Sequence, residues 1–99
     1  MYKVRLLASA YQEGKALPGF VRQRFKRIID SLTEEARPQN SSALTINVDI
    51  SWEARRIRID SGRIIYAIDD EFQQVAVLII RKRPPYDDED LSELLNCLE

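Results

Sequence analysis

Two spacings of apolar residues share this chain. From Val21 to Leu32 the apolar positions Val21, Phe25, Ile28, Ile29 and Leu32 fall at i, i+4, i+7, i+8 and i+11, which predicts an amphipathic helix packed on one side. Pro18 marks its start, because the first turn of a helix has no use for an N–H. Arg22, Arg24, Lys26 and Arg27 lie off the stripe. They predict a cationic, solvated outer face, or a contact with RNA or an acidic partner. Just upstream, Ala8 to Ala16 reads as a short helix weakened by Gly14.

Elsewhere the period is two, the spacing of strands whose side chains alternate between faces. Tyr2 to Leu7 predicts an opening strand, with Val4 and Leu6 on one face. Glu34 to Ser42 reads as a loop, and Leu44, Ile46, Val48 and Ile50 then alternate with polar residues as an edge strand would. Three more strands are predicted at Arg55 to Ile59, Arg63 to Ile68 and Val75 to Arg81, the last two apolar on both faces and therefore central. The link Asp60-Ser61-Gly62 predicts a hairpin turn with Gly62 in the left-handed conformation. Asp87 or Asp88 is placed to cap a last helix carrying Leu91, Leu94, Leu95 and Leu98. The predicted fold is α+β: an N-terminal helix or helical hairpin packed on a small, mainly antiparallel twisted sheet, with a short C-terminal helix.

Composition narrows the chemistry. A chain of 99 residues, 44% hydrophobic, suits one domain over residues 1–99, of which 84–99 form an acidic tail. There is no histidine, the usual general base and metal ligand near neutral pH. Zinc sites, catalytic triads and a Cys-His nucleophile are thereby excluded, and no metal or cofactor is expected. Three scattered glycines make no phosphate loop, and the lone Cys97 reads as a small apolar residue of the last helix. Neither a basic-then-apolar leader nor a bilayer-spanning apolar run is present, which reads as a soluble protein of the cytoplasm without membrane partners.

The formal net charge of −1 hides an asymmetry. Residues 1–83 carry all 15 Lys and Arg against 10 acids, whereas the last sixteen residues hold six acids and no base. The body is basic and the tail acidic. The acids suit helix capping and solubility, or the guarding of a neighbouring basic site. Within the body, Arg56 and Arg58 share one face of their strand while Ile57 and Ile59 take the other. Arg63 opens the return strand, and Arg81-Lys82-Arg83, followed by Pro84-Pro85-Tyr86, closes the series. One end of one small sheet thus gathers guanidinium groups, a pattern that fits a polyanion. Tyr66, between Ile64 and Ile68, reads as core, and Trp52 as a cover for the core or a platform for a base.

With these features in order, the sequence resembles the RelE/ParE superfamily of toxins from bacterial type II toxin–antitoxin modules, from about Tyr2 to Tyr86. The resemblance is carried by Leu17-Pro18 ahead of Val21-Arg22, by Arg37-Pro38 after the main helix and by Arg56-Ile57-Arg58-Ile59. It continues through Gly62-Arg63-Ile64-Ile65-Tyr66 with Ile68-Asp69-Asp70-Glu71, and Lys82-Arg83 with Tyr86. It implies one of two activities: RelE-like toxins cut mRNA in the ribosomal A site, and ParE-like toxins inhibit DNA gyrase without being nucleases. On the RelE-like pattern, Arg56 and Arg58 match the cations of the first meander strand. Arg63 matches the arginine opening the next strand, Arg83 the arginine ending the last, and Tyr86 the aromatic acid or base. Lys82 is a second candidate for handling the proton. The implied protein is a ribosome-dependent mRNA endonuclease, an mRNA interferase that inhibits translation and is neutralised by a cognate antitoxin. The alternatives are a gyrase inhibitor and a non-toxic relative that only binds a partner protein.

Overall fold

The computed structural model describes residues 1–44, 51–59 and 62–81, with residue 81 by its backbone alone. Seven elements follow in order: β1 (Lys3–Leu6), α1 (Ala8–Lys15), α2 (Gly19–Ser31), β2 (Ser41–Ala43), β3 (Glu53–Ile59), β4 (Gly62–Asp69) and β5 (Gln74–Arg81). The strands form one sheet in the order β1-β5-β4-β3-β2. β1 runs parallel to β5, and the other three pairings are antiparallel.

The helical stripe packs as its spacing predicts. Phe25, Ile29 and Leu32 are buried, with Val21 and Ile28 at the margin, against Ile57, Ile59, Ile64, Tyr66, Ile68, Val75, Val77 and Ile80 on one sheet face. The opposite face carries a second apolar cluster, Trp52, Ile65, Ala67, Ala76, Leu78 and Ile79, flanked by Leu7 and Leu44. β4 and β5 are therefore buried on both faces, which is why their sequences hardly alternate. Tyr66 is wholly buried, and its hydroxyl donates to the Ala36 carbonyl at 2.7 Å. That bond anchors the segment leaving α2 to the middle of the sheet. Trp52 is also buried, as a cover for the second cluster.

Two expectations are corrected. The segment read as a loop over Glu34 to Ser42 contains the start of β2, whose polar residues Ser41 and Ser42 form a strand because β3 supplies the ladder, opposite Ile57 and Arg56. Leu44 lies beyond that strand, and the rest of the strand expected over 44–50 falls outside the described residues. Gly62, expected in the turn, is the first residue of β4 and sits opposite Ile59.

A shift of register between β4 and β5 matters most for function. Ile65 pairs with Ile79 but Tyr66 pairs with Val77, so Leu78 is an extra residue in β5, a β-bulge. A one-residue insertion exchanges the faces of everything beyond it. Val75 and Val77 pack toward the helices, yet beyond the bulge it is Ile80 that does so, and Ile79 joins the other cluster. The register position of Arg81 comes opposite Arg63 as a result.

The β4–β5 turn is held at one end of the sheet. The Asp69 carboxylate accepts the Glu71 and Phe72 N–H groups at 3.1 and 3.4 Å, and Gln73 takes the left-handed φ of 51°. The Gln73 carbonyl accepts the Lys3 N–H at 2.9 Å, which joins β1 to the turn. Among the described residues, no helix is long and apolar enough to cross a membrane. The expected C-terminal helix, with Cys97, lies outside the described residues.

Candidate anion-binding site

The hairpin register aligns the predicted arginines. Arg58 pairs with Arg63, and Arg63 with Arg81, so three consecutive strands β3, β4 and β5 carry arginine in one row. Arg56 lies one step inward on the same face, opposite Ile65, which in turn pairs with Ile79. Ile65 and Ile79 belong to the second cluster, so this face is the one turned away from the helices. Arg58 is exposed, while Arg56 and Arg63 are half-buried. The apolar cluster thus forms a wall at the foot of the row, and the guanidinium groups form its polar end.

Directly opposed positions on neighbouring strands bring Cβ atoms to about 5 Å. Like charges so placed repel, and the arrangement suits an anion that several guanidinium forks hold together. Of the predicted site residues, the structure brings Arg56, Arg58 and Arg63 onto one face. Lys82, Arg83 and Tyr86 lie outside the described residues. The backbone position of Arg81 was hidden in the sequence, because the apolar run Val77-Leu78-Ile79-Ile80 gives no sign of where the bulge falls. Among the described residues, no three or more of Cys, Asp and Glu come together as a group able to hold a metal ion.

A second arginine cluster, which composition and spacing did not disclose, occupies the other end of the sheet. Arg37, just past α2, reaches Glu53 Oε1 at 2.9 Å and Asp70 Oδ2 at 2.7 Å through Nη2. Tyr2 donates its hydroxyl to Asp70 Oδ1 at 2.6 Å. Arg55 binds Glu53 Oε2 at 2.7 Å and donates from Nε to the Ser41 hydroxyl at 3.1 Å. The Asp70 carboxyl is held below its ordinary range by Arg37 and then by Tyr2, and that of Glu53 by Arg37 and then by Arg55. The hydrogen bond to Asp70 raises the Tyr2 hydroxyl, whereas burial raises that of Tyr66. Each carboxylate here is satisfied by guanidinium groups, so this cluster is a clasp that joins β1, the post-α2 segment, β3 and the β4–β5 turn.

The class of protein follows from these parts: a small α+β domain with two helices on one face of a five-stranded mixed sheet and an arginine row on the other. Known structures share that fold. A chain of the archaeal RelE–RelB complex from Pyrococcus horikoshii superposes with a TM-score of 0.73 at 20% identity, over 86% of this chain and 98% of its own. The RelBE2 toxin–antitoxin complex of Mycobacterium tuberculosis gives 0.70 at 23% identity, over 83% and 98%. The isolated E. coli RelE toxin gives 0.64 at 20% identity over the whole of both chains. No protein-family model matches the sequence, and no curated protein matches it either. The chain has the RelE fold.

Proposed function

We propose that the protein is the toxin of a type II toxin–antitoxin module, a ribosome-dependent mRNA endonuclease silenced by a cognate antitoxin. The observation that carries this reading is the row of positions Arg58, Arg63 and Arg81, with Arg56 beside it, on the face turned away from the helices in a fold shared with RelE toxins. In the proposed reaction a ribose 2′-OH loses its proton and attacks the adjacent phosphate, charge builds on the phosphoryl oxygens, and the P–O5′ bond breaks to leave a 2′,3′-cyclic phosphate and a 5′-oxygen that takes up a proton. Guanidinium forks aimed at those oxygens stabilise the pentacoordinate state. Arg56, Arg58 and Arg63 supply charge and geometry but move no proton, since an arginine stays protonated at physiological pH. Proton transfer falls to Tyr86 or Lys82, and Arg83 completes the anion cradle. A tyrosine among several cations has its hydroxyl pKa drawn down from about 10 toward a useful value.

The test is expression of wild type, Arg83→Ala and Tyr86→Phe, with growth measured and mRNA 5′ ends mapped by primer extension. Growth arrest with discrete cleavage ends in wild type, lost in Arg83→Ala, is the expected result. Arrest with a DNA-damage response and no cleavage ends would transfer the protein to the gyrase-inhibitor class, and normal growth would make it a non-toxic relative.

A further inference from the structure

We infer that Glu13 of α1 is a positioning residue for the arginine row: it holds the end of β5 through the Ile80 N–H, and with it the place where Arg81 joins Arg63 and Arg58. β1 stops at Leu6, opposite Val77, and the Leu7 N–H still reaches the Val77 carbonyl at 3.0 Å. β5 runs on to Arg81. Past Val77, therefore, the edge of β5 turned away from β4 has no strand beside it among the described residues.

A strand edge presents N–H and C=O groups that need partners, and α1 supplies them from side chains. The Ser9 hydroxyl donates to the Leu78 carbonyl at 3.4 Å, and Glu13 Oε1 accepts the Ile80 N–H at 3.4 Å. Ser9 and Glu13 stand four residues apart on α1 and so share one side of the helix. One turn of helix stands in for the missing strand. The helix backbone is close enough for this, since a Cβ built at Gly14 would touch Ile80 Cδ1 at 3.6 Å.

These two bonds fall where the ladder is weakest. Leu78 is the bulged residue, and beyond it only Ile79, Ile80 and Arg81 pair with β4. Ile80 is buried on the helix face, and the next residue takes the register position opposite Arg63. That position is thus fixed from two sides, by β4 and, through Ile80, by Glu13. Glu13 is half-buried and bonds backbone at the strand edge, while the row lies on the face turned away from the helices. It acts through β5 and touches no substrate. Groups that must meet a phosphate together tolerate little displacement, and a shift of about 1 Å can cost about 10²-fold in rate. For cleavage the inference rests on the nuclease reading; for anion binding it stands on the row alone.

Full-length wild type, Glu13→Ala and Glu13→Gln are compared by amide hydrogen exchange, thermal unfolding, cleavage of ribosome-bound mRNA and titration with a 2′-O-methyl RNA pentanucleotide, which lacks the attacking hydroxyl. In Glu13→Ala the Ile80 amide should exchange about tenfold faster or more, with Val75 and Val77 unchanged and Tm near wild type. The pentanucleotide should bind about tenfold more weakly, and kcat for cleavage should fall by about tenfold or more. Glu13→Gln keeps an acceptor oxygen and should restore exchange, binding and cleavage. Unchanged Ile80 exchange in Glu13→Ala, faster exchange with unaltered pentanucleotide binding, or Glu13→Gln as impaired as Glu13→Ala would each overturn the inference. So would a Glu13→Ala chain that unfolds, which would make the residue part of the fold, or a wild type that binds no pentanucleotide. A wild type that binds it and leaves mRNA intact would defeat the nuclease reading instead, with exchange and binding in the variants still deciding the role of Glu13.

Discussion

The two ends of the sheet hold the same kind of residue in opposite surroundings. At the start of β3, Arg55 and the nearby Arg37 meet Glu53 and Asp70 at 2.7 to 2.9 Å. At its end, Arg58 faces Arg63 across the ladder. Five residues of strand, about 17 Å, separate Glu53 from Arg58. The contrast lies in the register neighbours: at one end arginines meet carboxylates, and at the other arginine lies opposite arginine. Adjacent arginines on β3 are divided in the same way, since Arg55 points to the clasp and Arg56 to the face of the row.

Substitution can break this contrast from either side. The largest effect is expected in the row, where Arg58→Ala or Arg63→Ala should lower mRNA cleavage about 10²- to 10³-fold, the usual loss on removing one donor to a developing oxyanion. Thermal unfolding of these variants should stay near wild type; a collapse of the fold would mean that the row is structural after all. On the clasp side, Tyr66→Phe leaves the Ala36 carbonyl buried without its donor and should cost about 1–3 kcal/mol of stability in urea unfolding. Arg37→Ala, whose partners are partly solvated, should cost about 1 kcal/mol and lower Tm by roughly 4–8 °C with toxicity retained.

The smallest effect is in acid. Glu53 and Asp70 have folded pKa values below their ordinary values of 4.5 and 3.8. Their contribution is complete above those ordinary values and disappears as pH falls through the lowered, folded ones. Stability should therefore decline below about pH 5, and Arg37→Ala should make that decline shallower. An unchanged acid limb would show that Arg37 does not hold the carboxylates ionised.

Much of this architecture was readable from spacing. The stripe from Val21 to Leu32 placed α2 and its buried side, and the uniformly apolar β4 and β5 fell at the centre of the sheet as expected. The arginines of β3 and β4 shared a face because strand alternation left no other choice. What escaped has physical causes. Ser41 and Ser42 have no strand pattern of their own and become β2 by pairing with β3. The bulge at Leu78 is invisible in a run where every residue is apolar, although it decides which residues sit beside Arg63. Glu53, Asp70 and Tyr2 are far apart in sequence, and only the folded sheet brings them to Arg37.

The parallel pairing of β1 with β5 also governs when the protein becomes complete. Lys3 finds Gln74, and Leu6 finds Val77, across about seventy residues of intervening chain. β5 lies between β1 and β4, so neither has that neighbour until β5 has been synthesised. Pairings of such long range close slowly compared with local hairpins. During translation the β3–β4 hairpin can form first, but the row lacks its third strand until β5 is inserted. The arginine face is thereby among the last features to mature on a nascent chain, and a destabilised β1 should delay its assembly.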